Sequence, residues 1–119
     1  MRKLTYKNHS HIKHLFIFFV IFASLKAYPS YAAGNSDIAA ISKFHYFKGH
    51  IGLLVKQTSM VNPDICDRTD WYILPKDHPY YKEMVALIMA AHLSGQPLLF
   101  GLEGCAQNMP VIAHVVSEK

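Results

Sequence analysis

Residues 77–102 read DHPYYKEMVALIMAAHLSGQPLLFGL, and the fold turns on this stretch. From Tyr80 to Ser94 there is no helix breaker. Tyr81, Met84, Val85, Ile88, Ala91 and His92 recur at steps of three and four, which places them along one helix face. Asp77 is the expected N-cap, because its carboxylate can accept from free amides of the first turn. Pro79 sits in that turn, where its missing N–H costs nothing. Gly95 is placed for the left-handed conformation that ends a helix, and Pro97 prevents continuation. Ala86, Ala90 and Ala91 are small enough to let the helix approach a sheet or a neighbouring subunit closely. Leu98 to Leu102 then reads as a strand.

Outward from the helix, the chain reads as β. Ile41 to Phe47 is a first strand, rich in aromatics, and Lys48-Gly49-His50 a short turn. Ile51 to Gln57 alternates Ile51, Leu53 and Val55 against Gly52, Leu54 and Lys56, as the second arm of a hairpin does. Residues 58–70 hold Asn62-Pro63-Asp64 and read as a loop. Trp71 to Leu74 is a short third strand ended by Pro75. Beyond the helix, Gly104, Cys105, Gln107 and Asn108 make a turn, and Val111 to Val116 a fifth strand. Both strands after the helix are apolar on both faces, as central or doubly covered strands are. The fold class is mainly β with one helix. The order β-β-β-α-β-β is that of a five-stranded OB-fold barrel, whose helix lies between the third and fourth strands. The alternative is an α+β sheet with the helix packed on one face.

Residues 1–32 differ from the rest. Arg2, Lys3, Lys7 and Lys13 precede an apolar run, Leu15 to Leu25, too short to span a bilayer as a helix. Ser30-Tyr31-Ala32 is an acceptable cleavage triplet. Residues 1–32 are therefore expected to be a signal peptide cut after Ala32, with a cut after Ala27 or an uncleaved anchor as alternatives. Residues 33–40 read as a loose lead-in, and 41–119 as a single domain. The product would be exported, periplasmic or secreted, with no membrane span after cleavage.

The whole chain has net charge +4. From Ala33 onward seven Lys and Arg face eight Asp and Glu, a net −1. No basic cluster remains to neutralise phosphates, so no nucleic-acid partner is expected. Some 87 residues can bury only a thin core, and small exported domains often add a covalent staple. Cys66 and Cys105 are the two cysteines and are expected to pair, with two free thiols or a metal pair as the alternatives. The loop so closed is about 40 residues, worth roughly 3.5–4 kcal/mol in the chain-entropy model.

No chemistry-bearing motif stands out. His78 and His92 are more than a turn apart; His45 and His50 could meet across the hairpin but lack a third ligand, so no metal is expected. Asp64, Asp67 and Asp70 lack the glycine and bidentate Glu of a calcium loop. Ser42, Ser59, Ser94 and Ser117 carry no nucleophile motif. The chain is therefore expected to be neither an enzyme nor the holder of a cofactor. The aromatics say more: Phe44, Tyr46, Phe47, Trp71, Tyr72, Tyr80 and Tyr81 crowd two short strands and the helix start. Aromatics with a polar handle suit half-wet surfaces, and a sugar's apolar face stacks on Trp or Tyr. Core packing is the competing role for Phe44, Phe47, Trp71 and Tyr81. Tyr46, Trp71 and Tyr72 are the nominated ligand contacts, Tyr46 and Tyr72 because they alternate with more core-like neighbours.

YYKEMVALIMAAHLSGQPLLFGLEGC (80–105) resembles the corresponding segment of the binding (B) subunits of bacterial A-B toxins, the subtilase-cytotoxin and pertussis-like group. That resemblance covers about a quarter of the chain. It implies an OB-fold with a disulfide, a homopentameric ring and recognition of cell-surface glycans. The present chain is shorter and its single cysteine pair matches only in part. No glycan-contact residue carries over. The alternative is a monomeric periplasmic domain that binds a protein partner or inhibits an enzyme. Native mass spectrometry of the exported, unreduced protein should find chains that start at Ala33, two hydrogens light, in a five-subunit assembly. A disulfide-bonded monomer would exclude the ring.

Overall fold

The structure, a computed structural model, describes residues 33–118. The expected signal peptide lies outside the described residues. The elements are β1 (Gly34–Asn35), β2 (Ile41–Tyr46), β3 (Gly52–Gln57), β4 (Tyr72–Pro75), α1 (Tyr81–Ser94), β5 (Leu98–Ala106) and β6 (Met109–Ser117). They form one six-stranded sheet, ordered β1-β5-β6-β4-β3-β2. Neighbours run antiparallel except β4 and β6, which pair in parallel at Ile73 and Val111.

Among the described residues the architecture is mainly β with one helix, as expected, but there are six strands rather than five, and the sheet is not closed into a barrel. The sixth comes from residues 33–40, which are not loose. Gly34 and Asn35 pair with Leu102 and Gly101. Ser36 donates its amide to the Phe100 carbonyl at 2.8 Å, and its Oγ accepts from the Phe100 amide at 2.9 Å. A lead-in of small residues can lie this close to a neighbouring strand; small and polar composition alone does not distinguish it from a loop.

β1 and β2 are successive in the chain yet stand at opposite ends of the strand order. Between them, Ala39 and Leu98 exchange backbone hydrogen bonds of 3.0 Å each, while the Ala40 carbonyl accepts from Thr58. Gln57 reinforces this junction. It is 1% exposed, and its Nε2 donates to both the Ala39 and Leu98 carbonyls, at 3.1 and 2.8 Å. Its position continues the inward face of Leu53 and Val55, which is why a polar side chain lies in the interior.

The main core joins Leu53, Val55, Tyr72, Leu74, Phe100 and Ile112 of the sheet to Met84, Ile88 and Ala91 of α1. The helix face read from the sequence is the buried one. Its start differs: the N-cap is Tyr80, with no side-chain cap, and Asp77 does not serve. His78 accepts instead, its Nδ1 from the Tyr80 amide and its carbonyl from the Tyr81 amide. The helix begins at Tyr81, so Asp77 lies three residues before the N-cap and Pro79 precedes the first turn rather than sitting within it. Gly95 ends the helix at φ 73°, as expected. A second, smaller apolar cluster of Leu54, Ile73 and Met109 forms on the other face of the sheet, with Trp71, Ala106 and Val111 against it.

Both hairpin turns use positive φ. Gly49 supplies it in the β2–β3 turn, at 95°. In the β5–β6 turn Gln107 and Asn108 do so, at 47° and 67°. Two successive left-handed residues make a turn whose twist matches that of the strands. β5 therefore runs on to Ala106, past the Gly104 at which the turn was expected to begin. The expected disulfide is present, Cys66 to Cys105, with Cα atoms 5.7 Å apart. Beside it Asp64 accepts from the Gly104 amide at 2.6 Å, and the Arg68 amide donates to Asn108 at 2.8 Å. The 58–70 loop is thus fastened to the β5–β6 hairpin.

Gly52 is the least replaceable strand residue. A Cβ built there would lie 1.8 Å from the Leu74 carbonyl oxygen, which belongs to a paired strand and cannot withdraw. Gly52→Ala should cost about 3 kcal/mol or prevent folding. Leu93→Ala, at an 85% exposed helix position, should stay within about 0.5 kcal/mol of the parent. Urea denaturation of the two variants checks both.

Candidate functional site

The three nominated aromatics do not converge. Tyr72 is fully buried. Its ring packs edge-on against Phe100 with centroids 5.9 Å apart, and its oxygen accepts from the Val61 amide at 2.8 Å. It is core, and its nomination as a ligand contact is wrong. The alternation was placed one residue off: in β4 the inward positions are Tyr72 and Leu74, and Ile73, like Trp71 just before the strand, belongs to the other face. Tyr46 is exposed, at 56%, but stands beside Tyr81 at the start of α1. Only Trp71, half-buried on the outer face, sits among other aromatic and polar groups.

From Trp71 a row of rings runs along the outer face toward the β2–β3 turn. The His45 ring lies 4.7 Å from Trp71, Phe47 lies 5.2 Å from His45, and His50 lies 6.1 Å from Phe47. Strand alternation puts His45 and Phe47 on this side, and His50 follows from the turn. His45 Nδ1 is buried within the row and has no hydrogen-bond partner among the described residues. Phe47 is 54% exposed. Core packing was its competing role, and among the described residues it is left exposed at the mouth of the turn.

One end of the row is cationic. Lys56 Nζ stands 5.9 Å from the centre of the Trp71 ring, a cation–π distance. Lys43 is the direct cross-strand partner of Lys56. Like charges placed opposite each other disfavour the pairing of their strands. Asp70 is near, but Arg68 grips its carboxylate with two hydrogen bonds, of 3.1 and 2.9 Å. Those bonds, more than the nearby Lys56, hold Asp70 below the usual carboxylate range.

The other end is built by Gln107, which sequence reading assigned only to a turn. Its Oε1 meets the Ile51 amide at 3.1 Å and His50 Nδ1 at 3.0 Å, while its Nε2 donates to the Gly49 carbonyl at 2.9 Å. One side chain therefore joins the two hairpin turns. Short-range sequence signals could not reveal a contact that spans 56 to 58 residues.

Among the described residues, the other three histidines make structural contacts. His78 donates from Nε2 to the Ala113 carbonyl at 2.8 Å, and His92 from Nδ1 to the Ile41 carbonyl at 3.0 Å. The His114 ring lies over Gly101, in the space a Cβ would take. A shallow cavity of about 170 Å³ near it is lined partly by Asn35, Glu103 and His114, and by none of the row. Among the described residues no three His, Cys, Asp or Glu gather as a metal site would need, and no helix is long and apolar enough to cross a membrane.

No protein-family model, curated protein or solved structure matches the chain.

Two tyrosines tie stability to pH. Burial pushes Tyr72 above its ordinary value. Burial also raises Tyr81, with Tyr46 beside it adding to the effect. A raised folded-state value leaves full stability below the unfolded value, near 10, and loses it as pH rises through the folded one. Urea midpoints should therefore fall above about pH 10. Tyr72→Phe should reduce that fall, and at neutral pH should cost about 1 kcal/mol by leaving the Val61 amide unpaired.

Proposed function

We propose that the chain is an exported, non-enzymatic binding domain of OB type that recognises glycans on the outer face of β2, β3 and β4. The single observation that carries this is the row Trp71–His45–Phe47–His50, with lysines at one end and hydrogen-bonding turns at the other. The OB reading treats β1 and β2 as halves of one bent strand, which makes a partly open five-stranded barrel. The Ala39–Leu98 bridge and the parallel β4–β6 pair support it. In OB-folds the face of the second and third strands, with the loops joining strands one to two and four to five, is where oligosaccharides bind. Those loops correspond here to the two turns that Gln107 joins.

The row suits sugars. An indole takes the apolar face of a pyranose, and flanking amides and imidazoles take hydroxyls. Lys43 and Lys56, set opposite each other, favour a ligand whose acidic substituent relieves their repulsion. Resemblance to the toxin B subunits points to glycans and to a homopentamer. The outer face of α1, where Ala86, Met89, Ala90 and Leu93 are exposed, is the surface such a ring would bury. A monomer would favour the alternative, a periplasmic domain for a protein partner.

A glycan array probed with the protein in low and moderate salt tests the proposal. Acidic glycans should bind best, and salt should weaken them more than neutral ones. Trp71→Ala should abolish binding with a native far-UV spectrum, and Lys56→Ala should lose the preference for acidic glycans. Unchanged binding by Trp71→Ala would exclude this face.

A further inference from the structure

Gln107 does more than join two turns; it dictates the protonation pattern of His50. The Ile51 amide can only donate and the Gly49 carbonyl can only accept, so the Gln107 amide has one orientation: Oε1 toward Ile51 and Nε2 toward Gly49. Oε1 is also the atom that meets His50 Nδ1, at 3.0 Å. An amide oxygen can only accept, so Nδ1 must carry the proton. In the neutral ring Nε2 is then a lone pair and not a donor. Imidazole in water prefers the opposite tautomer, with its proton on Nε2. His50 Nε2 makes no hydrogen bond among the described residues.

We propose that Gln107 is a positioning residue which holds His50 as the Nδ1–H tautomer, so that Nε2 accepts a hydrogen bond from a ligand hydroxyl at the opposite end of the row from Lys56. The proposal rests on the glycan-binding reading for its ligand, but not for its tautomer. It assigns the site a direction. The lysine end takes an acidic substituent, and the His50 end takes a donor, which at neutral pH a carboxylate or sulfate cannot be.

Four proteins test it: the parent, Gln107→Asn, His50→Gln and His50→Ala. Asn keeps the tolerance for positive φ that position 107 needs at φ 47°, but is one methylene too short to span the turns. Gln at position 50 can place an amide oxygen near the site of Nε2. The first measurement is the long-range proton–nitrogen spectrum of the imidazoles without ligand, with His50 assigned by its loss in His50→Gln. The parent should show His50 protonated on Nδ1, and Gln107→Asn should shift it to the Nε2–H form while the other imidazoles stay unchanged. An Nε2–H ring in the parent overturns the proposal, whatever glycans do. The second measurement is a glycan array, with the best-bound glycan of the parent then titrated into each variant. Gln107→Asn should bind roughly tenfold more weakly, as expected for one lost hydrogen bond, and His50→Gln should retain more affinity than His50→Ala. Equal affinity in Gln107→Asn overturns the assignment of Nε2 to the ligand. If the parent binds no glycan on the array, the glycan reading fails, and the tautomer spectrum alone decides the role of Gln107.

Discussion

Where Ala39 and Leu98 exchange their hydrogen bonds, one stretch of chain touches both ends of the sheet order. The sheet must curl for residues 34–46 to pair with β5 on one side and β3 on the other. The buried Gln57 holds the junction by donating to both carbonyls. A buried amide is costly unless paired; the Nε2 of Gln57 is paired twice, while its Oε1 has no partner among the described residues. Curling closes the inner face around Phe100, Tyr72 and Ile88, and leaves the face of Leu54, Ile73 and Met109 outward. Trp71 is on the outside, and Tyr72 on the inside, for this reason.

The outer face carries features that a purely structural surface would avoid. Lys43 and Lys56 oppose each other, His45 buries an unpaired nitrogen, and Phe47 is left exposed. Each lies in or beside a single row of rings. The disulfide and the Asp64 and Arg68 contacts brace the hairpin whose tip presents Gln107. Stability is thus concentrated behind the row, and the turns at its end are fastened to each other rather than left free.

Much of the fold was legible locally. Helix and hairpin rest on short-range patterns, three- and four-residue spacing and a glycine in a tight turn, and the disulfide rests on there being only two cysteines to pair. The buried helix face was read residue by residue, with Met84, Ile88 and Ala91 at its centre. The site was less legible. Trp71 was named, but with Tyr72, because alternation in a four-residue strand does not say which phase faces the core. Lys43 opposite Lys56, and Gln107 against His50, follow from strand register and from contacts that span more than fifty residues.

From the sequence alone followed an export signal as an expectation, the order of strands and helix, and the cysteine pairing, since these depend on composition and on neighbours within one or two turns of chain. Only the tertiary structure decided that Gly34, Asn35 and Ala39 pair with β5, that Gln57 is a buried clasp, and that the aromatic row runs through His45 and Phe47. These depend on how far the sheet curls and which strands then meet. Curling is set by the sum of many packing contacts and by one junction at Ala39, where a small residue leaves no mark on hydrophobic periodicity.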